Sequence, residues 1–204
     1  MRRARARAAL AVLAGGAAFA ATPAPSPREV LAPRFFPVWQ ARNVAFPFVV
    51  RDAAGSYRMY YAGSGAAQVG ESAWDLWMTG LATSRDGRRW RLPDDYEPVL
   101  RAGPFATGEV TAPARRARFD SMAAFGACVM REGGRHLMWY TGWNGDDAPA
   151  GPGRARPVHH RIGLALSADG VRWQKQAGAA ELGAVLGLGA AEAFDAQGVA
   201  QPFV

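Results

Sequence analysis

RIGLALSADGVRW, residues 161–173, follows a pattern already present at residues 79–90 as TGLATSRDGRRW. In both stretches a short apolar run leads into Asp-Gly, and a tryptophan follows. Asp-Gly between β-prone runs is a tight-turn signal, because Gly takes positive φ and Asp bonds its own backbone two residues on. Each stretch therefore reads as two antiparallel strands joined by a turn. That chemistry accounts for Asp86 and Asp169, which are not read as catalytic. Trp90 and Trp173 read as core.

Working outward, other matches occur in the same order. MYYAGSG (59–65) returns as MWYTGWNG (138–145), and FDSMAAFGACV (119–129) returns as FDAQGVAQPFV (194–204). VAFPFV (44–49) also matches VAQPFV (199–204). GACVM and RHLMWYTG flank Gly133-Gly134, another hairpin signal. Each unit thus reads as four antiparallel strands in two hairpins. The period is too long for WD40 or kelch units, and no helical apolar period supports a helical solenoid. RHLMWYTG is apolar on both faces, which suits a strand covered on both sides. The expected fold class is all-β, with each unit a blade of a β-propeller. A sandwich or irregular barrel is the alternative.

The last stretch then reads as the start of a third unit, with Val199, Phe203 and Val204 opening a buried strand. Two units and one strand fall short of the roughly four blades that a closed propeller needs. The expectation is an N-terminal fragment that, alone, is aggregation-prone and melts without cooperativity.

Charge and hydropathy divide the rest of the chain. The 204 residues carry a formal charge of +7, but Arg2, Arg3, Arg5 and Arg7 all lie in the first ten. Residues 1–20 read as a secretory signal: a basic start, an apolar run from Ala8, and Ala18-Phe19-Ala20 as a small-x-small end. Removing them leaves about +3. Export is the expectation, and import into a plastid or other organelle is the alternative. Residues 21–42 form a proline-rich leader or linker, and residues 43–204 form the folded domain. No further segment reads as a membrane span. Basic residues do not interleave with aromatics, so no nucleic-acid partner is expected. Cys128 sits in the apolar run AFGACVM and reads as a buried thiol. His159 and His160 lack a third metal ligand and read as neighbours pointing opposite ways on a strand. No metal and no cofactor are expected.

FDS…ACVM…GGRHLMWYTG…RIGLALSADGVRW…VLG resembles the blade of five-bladed β-propellers of the arabinanase, levansucrase and invertase type. The resemblance runs from about Asn43 to Val204 and implies about two blades and the first strand of a third. It also implies a glycoside hydrolase or glycoside phosphorylase, with acidic residues from innermost strands facing an axial funnel. Glycosidic transfer needs two carboxylates held in different protonation states. Asp120 and Asp195 hold equivalent places in FDS and FDA and are the candidate catalytic pair. Capping of backbone N–H groups is the alternative role for each.

The first unit departs from this, because Gln40 takes the matching place. The Asp-Pro dipeptide common in that superfamily is also missing: Phe46, Gly126 and Gln201 stand where its Asp would be. Candidate substrate-binding residues are Arg42, Asn43, Glu109 and Trp143. Trp143 would stack on a sugar beside Asp146 and Asp147, or else pack on its own hairpin. The functional expectation is a secreted glycosidase acting on oligo- or polysaccharides. The alternative is a non-catalytic propeller that binds a glycan or a protein partner.

Overall fold

A computed structural model describes residues 31–32, 38–52, 54–69, 72–103, 117–145 and 158–204. The secretory signal, Glu109, Asp146 and Asp147 lie outside the described residues. After a 3-10 turn at Val38–Gln40 come β1 (Asn43–Arg51), β2 (Tyr57–Val69) and β3 (Ser72–Ser84). β4 (Ala123–Glu132), β5 (Arg135–Trp143), β6 (Arg161–Ser167) and β7 (Gln174–Gln176) follow. All seven form a single sheet, in the order β1-β2-β3-β4-β5-β6-β7.

The all-β expectation holds, but the five-bladed propeller is corrected. The strands do not divide into separate blades. β3 and β4 are joined in parallel through Trp77 and Ala123, so the two meanders run into one open sheet with β1 and β7 at its ends. The turn signals read in the sequence at Gly133-Gly134 and Asp169-Gly170 specify the β4–β5 and β6–β7 hairpins. They say nothing about how one meander meets the next, and that pairing decides the architecture. The fourth strand expected in the first unit is reduced to one bridge, Thr83 with Arg91. The expected third unit forms no strand: Phe203 is 84% exposed and Val204 60%. Ladder pairing needs a neighbouring strand edge, and among the described residues this stretch meets only side-chain and single backbone contacts, such as Gln201 N–H to Thr141 Oγ1 at 2.8 Å.

Local chemistry explains the hairpins. Gly133 and Gly134 both take positive φ, 55° and 80°, as a two-residue type I′ connection requires. In the turn after β6, Asp169 Oδ1 accepts from the backbone N–H of Val171 and Arg172, each at 2.8 Å. Asp86 does the same for Arg88 and Arg89 at 2.8 Å. Those N–H groups, Arg89 first and then Arg88, hold the Asp86 carboxyl down to about 2. Both aspartates are turn residues, as the Asp-Gly reading has it.

The main core crosses from one meander to the other. Tyr60 and Leu81 share it with Phe119, Ala124, Val129, Met138 and Tyr140, with Trp173 packed against it. Removing such a side chain from water contributes roughly 2 kcal/mol. Cys128 is a free, buried thiol within β4, as its apolar setting implies. Phe119 lies flat over β5 and β6: a Cβ on Gly142 would sit 2.3 Å from its ring, and one on Gly163 2.5 Å away. That close approach needs glycine at both places and carries the next residue, Asp120, against Tyr140.

Candidate functional site

Asp120 is fully buried. Its Oδ2 accepts from Tyr140 Oη at 2.8 Å and meets Lys175 Nζ at 2.5 Å, while its Oδ1 meets Arg118 Nε at 3.2 Å. Burial pushes the carboxyl up, but Lys175, Tyr140 and Arg118 together outweigh it and hold the group below its ordinary value. In return, burial and the Asp120 charge push the Tyr140 phenol far up. The carboxylate is therefore an anion at neutral pH, with its partners supplied by the protein. A general acid needs the opposite, a raised pKa and an oxygen open to the substrate.

Asp195 sits differently. It is half-buried in the irregular stretch after β7, and its Oδ1 is buried without a hydrogen-bond partner. Its backbone carbonyl accepts from Gly189 N–H at 3.2 Å and Gly198 N–H at 3.3 Å. The partners that surround Asp120 have no counterpart among its contacts in the described residues. The two aspartates, equivalent in sequence, thus occupy unlike environments.

A second constellation lies where β1 and β4 break register. The shifts fall between Ala45 and Phe48 and between Phe125 and Cys128. At these bulges Phe46 has φ 50° and Gly126 φ 61°, and Gln201 has φ 52° in the last stretch. No carboxylate stands at any of these three places. The Gln201 side chain lies over Gly126, 3.8 Å from where a Cβ would be. Glycine adopts this backbone freely, whereas a phenylalanine there costs about 1–2 kcal/mol.

Phe46 is 39% exposed, and its ring packs against two others. Its centroid is 5.5 Å from Phe125 and 6.0 Å from Trp77, and Trp77 and Phe125 are 5.5 Å apart. His160 meets Phe125 edge-on at 5.7 Å. Trp143 is half-buried and packs against the core cluster of Ala62, Ala123 and Phe125, the hairpin-packing role. Asn43 is exposed on β1, and its Nδ2 donates to Ser64 Oγ at 2.7 Å. Arg42 is exposed beside it, with its backbone N–H bonded to the Ser64 carbonyl at 2.9 Å.

Asn43 and Trp143 were legible from sequence. Trp77 and Phe125 were not singled out, and His160 was read only as a strand neighbour of His159. Phe46 carried a signal, a bulky residue at the Asp position before Pro47. His159 and His160 precede β6 rather than lying on it. Among the described residues no group of three or more potential metal ligands occurs, and no helix is long and apolar enough to cross a membrane.

No family model matches this chain. Uncharacterized protein MT1551 of Mycobacterium tuberculosis (strain CDC 1551 / Oshkosh) is 27% identical over 138 residues, which is 65% of this chain and 34% of that protein. The chain thus spans about a third of the length of that curated relative. Among solved structures, one named "Glycoside hydrolase" matches with a TM-score of 0.54 at 17% identity, over 85% of this chain and 42% of that one. Zg3597, a family 117 glycoside hydrolase of Zobellia galactanivorans, gives 0.50 at 19% identity, over 79% and 43%. At these identities the likeness is one of fold, and this chain corresponds to less than half of either structure.

Proposed function

We propose that this chain belongs to a carbohydrate-active protein and contributes a glycan-binding surface centred on the exposed Phe46, which packs on the half-buried Trp77 and the buried Phe125. Arg42 and Asn43 lie exposed a few residues before Phe46, and Trp143 packs against the cluster that contains Phe125. The observation that carries this reading is Phe46, which keeps an unfavourable backbone conformation while presenting its ring to solvent beside two others. Backbone strain of this kind concentrates where a site must be held in place. Aromatic faces stack on the apolar face of a sugar ring, and exposed Asn and Arg donate to its hydroxyls. Export, proposed from residues 1–20, would bring such a surface to extracellular glycans. The test is titration of the intact chain with oligosaccharides, followed by tryptophan fluorescence, beside Phe46→Ala. Saturable binding lost in the variant supports the reading; equal binding by both proteins overturns it.

Hydrolysis of a glycosidic bond is the second reading. The fold likeness to proteins named as glycoside hydrolases favours it. Within this chain it rests on Asp195, whose buried Oδ1 has no partner, more than on Asp120, whose oxygens are fully engaged. Asp195→Asn and Asp120→Asn, assayed on aryl glycosides, separate the two. Turnover that survives both substitutions removes this pair as the catalytic carboxylates.

A further inference from the structure

The tips of two hairpins, far along their strands from the register breaks, enclose a cavity of about 200 Å³. Two cross-strand pairs line it. Arg58 on β2 lies opposite Val50 on β1, and His136 on β5 lies opposite Arg131 on β4. Arg51, which also lies against the Tyr57 ring at 5.8 Å, adds a third guanidinium. The one acid in the lining, Asp52, is turned to its own hairpin, where Oδ1 accepts from Ser56 N–H at 3.0 Å and Oδ2 from the Ser56 hydroxyl. Positive charge in the lining is therefore in excess.

The cavity is also braced. Arg58 Nη1 donates to the Asp169 carbonyl at 2.5 Å, and Tyr60 Oη donates to the Gly170 carbonyl at 2.8 Å, tying β2 to the turn after β6. One nitrogen of the Arg58 fork is thereby fixed, which orients the rest of the guanidinium. His136 contributes an unmet need of its own, since its Nδ1 is buried and has no hydrogen-bond partner.

We propose that this cavity is a binding site for a small dianionic oxyanion of the phosphate class, held by Arg58, Arg131 and His136. Guanidinium forks match tetrahedral oxyanions through paired, charge-assisted hydrogen bonds. The cavity has room for one such ion or a small ester of it. An anion there would add to the bonds that Arg58 and Tyr60 already make between the two meanders.

Affinity will depend on the protonation of His136. Burial, then Arg58, then Arg131 push the imidazole below its ordinary value, and Asp169 and a hydrogen bond to the Ser167 backbone pull it back in part. Arg51 and Asp52 are the other charged groups in the lining. A bound anion reverses the balance, so lower pH strengthens binding and binding takes up a proton.

Sulfate is the decisive probe, because it stays a dianion between pH 6 and pH 8, so any pH dependence belongs to the protein. Calorimetric titration of the intact chain at constant ionic strength is expected to show saturable binding, about tenfold tighter at pH 6 than at pH 8. Inorganic phosphate is expected to compete. Arg131→Gln, an exposed change that leaves the fold alone, is expected to weaken sulfate about tenfold or more. His136→Gln is expected to remove the pH dependence, with circular dichroism confirming its sheet. Absence of saturable heat at both pH values overturns the proposal, as does an unchanged affinity in Arg131→Gln.

Discussion

Tyr140 donates to Asp120 at 2.8 Å just as Tyr61 donates to Gln40 at 2.7 Å one meander earlier. The same buried bond is made once to a carboxylate and once to an amide. Hydrogen bonds to charged groups contribute about 1.5–3 kcal/mol and neutral ones about 1. Tyr140→Phe is therefore expected to destabilise the chain by about 1 kcal/mol more than Tyr61→Phe. Urea melts of the two variants, compared at equal m-values, check this; equal losses would show that the Asp120 charge adds nothing to the bond.

The charge itself is tested through its cations. Asp120→Asn keeps an acceptor for Tyr140 but strips Lys175 and Arg118 of their counter-charge. Breaking a buried pair costs about 3–5 kcal/mol. The loss here falls toward about 3, because the Arg118 side chain is 47% exposed and stays partly hydrated. Lys175→Met alone leaves Asp120 with Arg118 and Tyr140. The double variant is expected to be more stable than the sum of the single losses predicts, by at least about 1 kcal/mol. Additive losses would mean that the two side chains are near each other without being coupled.

Acid sensitivity follows from the same carboxylate. Its pKa is depressed in the folded chain, so its stabilising contribution is fully present above the unfolded value of about 3.9 and is lost as pH falls through the folded value. Wild-type stability is expected to drop between about pH 4 and the folded pKa, and Asp120→Asn is expected to flatten that drop. The comparison is made by thermal melts of both proteins from pH 7 downward. Parallel acid profiles would assign the transition to other carboxylates.

What the sequence disclosed, and what it withheld, follows one physical division. Turns were legible because their chemistry is local: Gly133-Gly134 and the Asp169 turn need only residues within a few positions of each other. The equivalence of Gln40 and Asp120 was legible too, since both stand at the same distance before a strand. Joining of the meanders was not, because the Trp77–Ala123 bridge links residues 46 positions apart and leaves no turn signature. Nor were the unlike fates of Asp120 and Asp195. Asp120 is surrounded by Tyr140 and Lys175, and the sequence around Asp195 could not show whether such partners would meet it.

Close packing over β5 and β6 gives a sharp test of the frame that positions Asp120. A methyl at Gly142 would sit 2.3 Å from the Phe119 ring and 2.9 Å from Asp120 Cβ. Neither neighbour can retreat, since Phe119 and Asp120 are both buried. Gly142→Ala is expected to destabilise by about 1–3 kcal/mol, the usual cost of overpacking. Gly134→Ala offers the control: its Cβ would meet nothing within 4 Å, so only the positive φ of 80° opposes it. Denaturant melts should rank Gly142→Ala as the more damaging; the reverse order would place Phe119 elsewhere.

Phe46 separates a residue kept for stability from one kept for a ligand. Phe46→Gly relieves a φ of 50°, which is worth about 1–2 kcal/mol. It also removes the ring contacts with Trp77 and Phe125, and an aromatic pair contributes about 0.5–1.5 kcal/mol beyond its buried area. The two effects oppose each other, so the melting free energy is expected to change by less than about 1 kcal/mol in either direction. Oligosaccharide affinity is expected to fall about tenfold or more, since the stacking face is gone. Equilibrium melts and fluorescence titrations on the same preparation read both quantities. A loss of stability near 3 kcal/mol with glycan binding intact would make Phe46 a core residue and move the binding surface away from β1.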